Sequence, residues 1–211
     1  MRAEELGVSN QEAIENYIDT PDKSAFYLKA FDKYDQKKGF EIVWSWWAFF
    51  FPLPFFIYRK LYMEAFVSFI PTIAWFLTFI LNQSIFIYLI LSIILSSVIY
   101  NKLYKELKIY LILTIVISFS FLPYLINTLI ITSMDASFAI FFIYKRYQKV
   151  LFTAKQFDVK EDELLMALKD LGGINKIGVW IGILLGFLFS ILLLYPHINF
   201  LYVFYLIGSA T

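Results

Sequence analysis

Polar and apolar residues follow one another along this chain in long blocks. Residues 1–42 mix charges of both signs, and 43–58, VWSWWAFFFPLPFFIY, carry none. Residues 61–100 hold two apolar blocks separated by Asn82-Gln83-Ser84. A third apolar region, 109–144, is marked by Pro123, Asn127 and Asp135. Residues 145–177 are charged, and 178–208 are apolar again around Pro196-His197-Ile198-Asn199. Several blocks approach the ~20 residues a helix needs to cross a ~30 Å hydrocarbon core, and none alternates with period two as a barrel strand does. The pattern predicts an all-α fold, a polytopic transmembrane helical bundle of about six spans. They fall near 62–81, 85–100, 109–126, 128–144, 178–195 and 198–210. Several are short, and Tyr, Lys and Arg at their ends can snorkel to extend their reach.

The same pattern divides the chain into parts. A cytoplasmic N-terminal segment, 1–42, precedes an interfacial or re-entrant aromatic segment, 43–60. Two transmembrane hairpins, 61–144, are followed by a cytoplasmic loop with an amphipathic helix, 145–177, and a C-terminal hairpin, 178–211. Two short cytoplasmic helices are expected. One covers Lys23–Gln36, where Phe26, Tyr27, Leu28, Phe31 and Tyr34 alternate with Lys and Asp. The other follows Asp158 as its cap, with Glu161, Asp162 and Glu163 in its first turn. Its apolar face is Leu164, Leu165, Leu168 and Leu171, and Gly172 is its stop.

Composition strengthens the membrane reading. Of 211 residues, 60% are hydrophobic and 17% charged, against about 45–50% and about 25% in soluble domains. The 18 basic residues lie in the N-terminal segment, at Arg59-Lys60, between Lys102 and Lys108, and between Lys145 and Lys176. None lies in the expected turns at 82–84, 127–135 or 196–199. Cytoplasmic loops carry the Lys/Arg excess, so three hairpins with both termini cytoplasmic put every basic cluster on one side. The start, MRAEELGVSNQEAIENYIDT, has no signal-peptide pattern, and a bacterial inner membrane is the expected location. The segments FFIYRKLY (55–62), SVIYNKLYKEL (97–107) and FFIYKRYQKVL (141–151) echo one another. That echo fits either a repeat of hairpins or interfacial anchors shared by three helix ends.

Charge and chemistry narrow the function. A net charge of +1 gives no footprint for nucleic acid. With no cysteine and one histidine, His197, thiolate chemistry, disulfides and Cys- or His-rich metal sites are excluded. Phosphate loops, nucleophile elbows and HExxH are absent, so neither an enzyme nor a cofactor is expected. The expected partners are membrane lipid and either a protein held by the cytoplasmic segments or a second copy of the chain.

The candidate residues are few. Trp44, Trp46, Trp47, Tyr58, Arg59 and Lys60 suit a lipid interface, with indoles at headgroup depth and the two cations on phosphates. The prolines at 52 and 54 should bend that segment. Lys60 and Glu64, at i, i+4, suit an interfacial ion pair. Asp135 falls inside a span, where an acid is costly and faces a cavity or partner. It or Ser133 could instead cap a helix that starts nearer the outer surface. Gly178, Gly182 and Gly186 form a small-xxx-small face for close helix packing, within the chain or between chains.

The run FYLKAFDKYDQ…VWSWWAFFFPLPFFIYRKLYMEAF resembles a family of small, uncharacterised bacterial inner-membrane proteins, a domain of unknown function. Its signature is W-N-W-x-A-F-F-x-x-P-x-W-x-x-Y-R-K-M-Y-like. The matching positions are Trp44, Trp46, Ala48, Phe49, Phe50, Pro54, Tyr58, Arg59, Lys60 and Tyr62, and Gly172-Gly173-Ile174-Asn175 resembles a later Gly-Gly element. Ser45, the Phe before Tyr58 and Leu61 depart from the pattern. The resemblance covers about residues 26–66 and implies membrane location and topology, with no activity attached. The expectation is a non-enzymatic anchoring or organising protein, with a small-solute or ion transporter or channel component as the alternative.

Overall fold

The computed structural model describes residues 2–37, 39–70, 105–118 and 124–188, with isolated positions 90, 93, 94, 100 and 103. Every regular element among them is helical. The polar N-terminal block forms α1 (Asn10–Ile18) and α2 (Ser24–Lys37). The aromatic block forms α3 (Trp46–Phe50) and α4 (Pro52–Tyr58). Then come α5, described over 62–70, α6 (Lys105–Ser118) and the long α7 (Tyr124–Gln156). Finally α8 (Glu161–Leu171) precedes α9, described over 176–188.

Local sequence explains the N-terminal elements. Ser9 caps α1, its hydroxyl accepting from the Glu12 N–H at 3.2 Å, the usual way to satisfy an orphan donor. Ala13, Ile14, Tyr17 and Ile18 make the buried stripe, and Asp19 ends the helix in the left-handed region at φ 52°. The sequence expectation contained no α1. Its α2 lies within a residue of the expected span and buries Tyr27, Ala30, Phe31 and Tyr34.

The two charged segments fold onto each other. α1 packs against both α2 and α8, and α7 touches α2 and α8. Rings fill the centre: Tyr147 of α7 lies 5.2 Å from both Tyr17 and Phe31, and Tyr34 lies 5.1 Å from Tyr144. Glu5 and Lys155 pair across the surface at 2.8 Å. This unit is called the head below.

Several expected boundaries move. α7 is already helical at Tyr124, so the chain does not turn at Asn127. Residues 145–156 are not loop, because α7 continues through them. Asp158 sits in the left-handed region at φ 50° and does not cap α8. Lys160 holds the N-cap position with no side-chain hydrogen bond. The spans expected at 62–81, 85–100, 109–126, 178–195 and 198–210 lie wholly or partly outside the described residues, as do the turns at 82–84 and 196–199.

Apolar side chains face outward in the remaining helices. In α9, Gly178 and Gly182 are buried while Ile177 and Trp180 are 75% and 73% exposed. α6 buries Leu107, Tyr110, Leu111 and Thr114 and exposes Ile109, Ile112, Leu113 and Val116. Among the described residues one segment, Glu161–Leu188, is long and apolar enough to cross a membrane by length and composition. Its backbone leaves the helical path at 172–175. α6 as described, 14 residues, is shorter than a span.

Candidate functional site

Two polar centres stand out, one at the base of the head and one among α5, α6 and α7. The first gathers around Arg59 and Lys60. A helix leaves its last carbonyls without intrahelical donors, and here distant residues supply them. The Arg59 guanidinium donates to the Ile18 carbonyl at 2.7 Å and to the Thr20 hydroxyl at 3.4 Å. It also lies 5.2 Å and 5.1 Å from the centroids of Tyr27 and Tyr58. Gly173 N–H donates to the Tyr17 carbonyl at 2.6 Å. Lys60, in the left-handed region at φ 56°, donates its ammonium to the Asp170 carbonyl at the end of α8, 2.8 Å away. Its own carbonyl accepts from Arg146. The Asn175 amide N–H donates to the Tyr58 carbonyl at 2.8 Å, while the Asn175 side chain accepts from Gly178 N–H and donates to the Tyr62 hydroxyl.

That geometry changes the expected roles. Arg59 is 7% exposed, so its cation is spent inside the protein and does not reach a lipid phosphate. Lys60 reaches α8 as a helix C-cap, where a cation complements the dipole. Glu64 is buried on α5. The sequence pattern offers Arg59 and Lys60 as phosphate contacts, and the structure places both on backbone carbonyls. Asn175 and Tyr17 were missed, because their capping partners are remote in the chain.

The aromatic segment divides its labour. α3 begins at Ser45, whose hydroxyl accepts from Ala48 N–H. The Ser45 N–H donates to the Ala136 carbonyl at 3.1 Å, which ties α3 to the middle of α7. The bend falls at Phe51, one residue before Pro52. Pro52 then starts α4 at a position where a missing N–H does no harm. Trp46 and Trp47 point outward at 64% and 63% exposure. Trp44 is half-buried and packs edge-on against Trp46, 5.5 Å between centroids.

The glycine face packs within the chain. A methyl at Gly178 would meet Ile57 Cγ2 at 2.6 Å, and one at Gly182 would meet Pro54 Cα at 3.0 Å. So α9 lies directly on α4 through these two positions. A methyl at Gly186 would meet nothing within 4 Å, so the packing uses two of the three glycines.

Asp135 is the second centre. It lies about three turns inside α7 and caps nothing, and Ser133 bonds back to the Leu129 carbonyl at 2.7 Å. The Asp135 side chain is 1% exposed. Ser68 of α5 donates to its Oδ1 at 3.0 Å, and the Tyr110 hydroxyl of α6 donates to the same oxygen. Thr114, one turn after Tyr110, gives its hydroxyl to the Tyr110 carbonyl at 2.5 Å. Phe138 and Phe142 each lie 5.4 Å from the Tyr110 ring and close the surroundings with apolar surface. Sequence reading found Asp135 alone. Ser68 and Tyr110 are ordinary residues in apolar runs until three helices bring them together.

A cleft of about 470 Å³ under the N-terminal segment is lined by Arg2, Glu5, Tyr34, Asp35, Tyr144 and Lys145. Three of its charged groups are already committed: Asp35 accepts from Tyr144, Lys145 pairs with Glu106, and Glu5 with Lys155. Among the described residues no cluster of His, Cys, Asp and Glu could hold a metal ion. No family model, curated protein or solved structure matches this chain.

Proposed function

We propose that this chain is a multi-pass helical protein of a bacterial inner membrane, with six spans in three hairpins and both termini cytoplasmic, that anchors or organises a protein partner through its head. The observation that carries the reading is α7. At about 1.5 Å per residue its 33 residues extend about 50 Å, well beyond a ~30 Å hydrocarbon core. Its first part carries a single charged residue, Asp135, and the part with Lys145, Arg146, Lys149 and Lys155 is held by α1, α2 and α8. One rigid element therefore joins bundle to head. The outward apolar side chains of α6 and α9 support lipid as their solvent, because soluble surfaces rarely expose such contiguous patches. The outward Trp46 and Trp47 suit the lipid interface.

The head's outer surface carries Phe152 and Phe157 at 64% and 72% exposure, near Lys155 and Lys160. A photo-crosslinking side chain at Phe152 or Phe157, used in intact cells, tests the anchoring role. The expected result is a reproducible adduct with one other protein. Crosslinks to lipid alone, or none to a second chain, would overturn it.

A second reading, a small-solute or ion transporter or channel component, is favoured by the Asp135 centre. Asp135→Asn in reconstituted vesicles should then abolish flux that the unaltered chain supports. Flux equal in both, or absent from the unaltered chain, removes that reading.

A further inference from the structure

We propose that Asp135, Tyr110 and Ser68 form a binding site for a single proton inside the helical bundle. The inference rests on the membrane placement of α5, α6 and α7 proposed above and is independent of the anchoring role.

The three groups come from three different helices, and all are buried: Asp135 at 1%, Tyr110 at 0% and Ser68 at 8% exposure. Both hydroxyls donate to the same carboxyl oxygen, Oδ1. Further polar groups on the neighbouring helices lie within a turn of these contacts. From α5 come Ser68 and, one turn earlier, the buried Glu64. From α6 come Tyr110 and Thr114, the latter bonded to the Tyr110 carbonyl. The α3 helix, which also packs on α7, brings only uncharged residues, Trp46–Phe50. The ion pairs among the described residues are Lys37–Glu41, Lys145–Glu106 and Lys155–Glu5, and none involves Asp135.

An ionised carboxylate isolated from water is costly unless something neutralises it. With no side-chain cation against it among the described residues, the neutralising ligand is a proton or a small metal cation. The geometry favours the proton. A hard cation needs oxygens at about 2.0–2.6 Å around a common centre. Here both hydroxyls already donate to Oδ1, Ser68 Oγ at 3.0 Å. An ion placed between them would have to break both hydrogen bonds.

Carbodiimide labelling of the full chain in membranes tests the site. The carboxylic acid adds across one C=N bond of the reagent, its proton to nitrogen and its oxygen to carbon, with no leaving group. Only a protonated carboxyl that the reagent can reach forms the adduct. Mass spectrometry should place an apolar carbodiimide on Asp135, with several-fold less label at alkaline than at mildly acidic pH and no protection by sodium. Asp135→Asn should remove that adduct. An unlabelled Asp135, label independent of pH, or protection by sodium would overturn the proton site. A chain absent from the membrane fraction, or a water-soluble carbodiimide labelling Asp135 as readily as the apolar one, would instead overturn the membrane placement.

Discussion

At Gly172 a methyl group would sit 2.3 Å from the Tyr17 carbonyl oxygen and 2.4 Å from its ring. The α8 terminus meets the end of α1 there with no room for a side chain. Gly172→Ala should therefore destabilise the head by about 1–3 kcal/mol, the usual range for overpacking, read as a lower melting temperature in detergent. Gly186→Ala, whose new methyl would meet nothing within 4 Å, should leave it unchanged. Arg59 works at the same scale. Arg59→Lys keeps the charge but loses the fork that reaches Ile18 and Thr20 together, and about 1–3 kcal/mol is at stake for charged hydrogen bonds of this kind. The tyrosines add a pH dependence. Burial pushes the phenols of Tyr17 and Tyr27 above their ordinary range, with Arg146 beside Tyr17 and Arg59 beside Tyr27 partly opposing it. The folded head thus prefers them neutral. Its stability is fully present below the unfolded value of about 10 and is lost as pH rises towards the raised folded values. Tyrosinate absorbance should lag in the folded protein and appear together with the loss of helix. Early titration of every tyrosine would contradict this.

The elements differ in how readable they were. α2 and α8 were legible because each carries its own apolar stripe, and the aromatic helices because two prolines and a run of rings punctuate them. α1 was hidden by its brevity, although Ser9 and the Ala13, Ile14, Tyr17, Ile18 stripe are sound signals in hindsight. The break at Asn127 and the cap at Asp158 were misplaced because residues that favour turns are also tolerated inside or outside helices when tertiary contacts decide. The candidate site was legible only as far as Asp135. Its partners sit 67 and 25 positions away, and a hydroxyl in an apolar run shows no sign of what it will bond. The glycine face, by contrast, was visible, and the structure says what it packs on. Ile57→Cys with Gly178→Cys, in a chain that has no native cysteine, should form a disulfide under mild oxidation and tie α4 to α9. The pair Ile57→Cys with Gly186→Cys should not. A disulfide between copies of the chain in place of one within it would contradict the packing.

At the scale of the whole molecule, the distribution of apolar surface sets the solvent. The head closes its rings inward around Tyr17, Phe31, Tyr34 and Tyr147, as a domain in water does. The α6 and α9 helices turn Ile, Leu, Val and Trp outward, while α6 keeps Leu107, Tyr110, Leu111 and Thr114 and α9 keeps Gly178 and Gly182 inward. A hydroxyl on these helices bonds to its own backbone, as Thr114 of α6 and Ser133 and Ser137 of α7 do, which is how polar groups are satisfied without water. Head and bundle meet at Arg59, Lys60 and Arg146, whose cations cap helix ends and bind carbonyls. The three-hairpin arrangement assigns each segment to one face of the membrane. The direct test is single-cysteine accessibility in intact cells against permeabilised cells. Cysteines at Ser84 and Asn199 should react with an impermeant maleimide in intact cells, and one at Lys149 only after permeabilisation. Reaction of Lys149→Cys in intact cells, or protection of both Ser84→Cys and Asn199→Cys there, would contradict the three-hairpin membrane protein with its head in the cytoplasm.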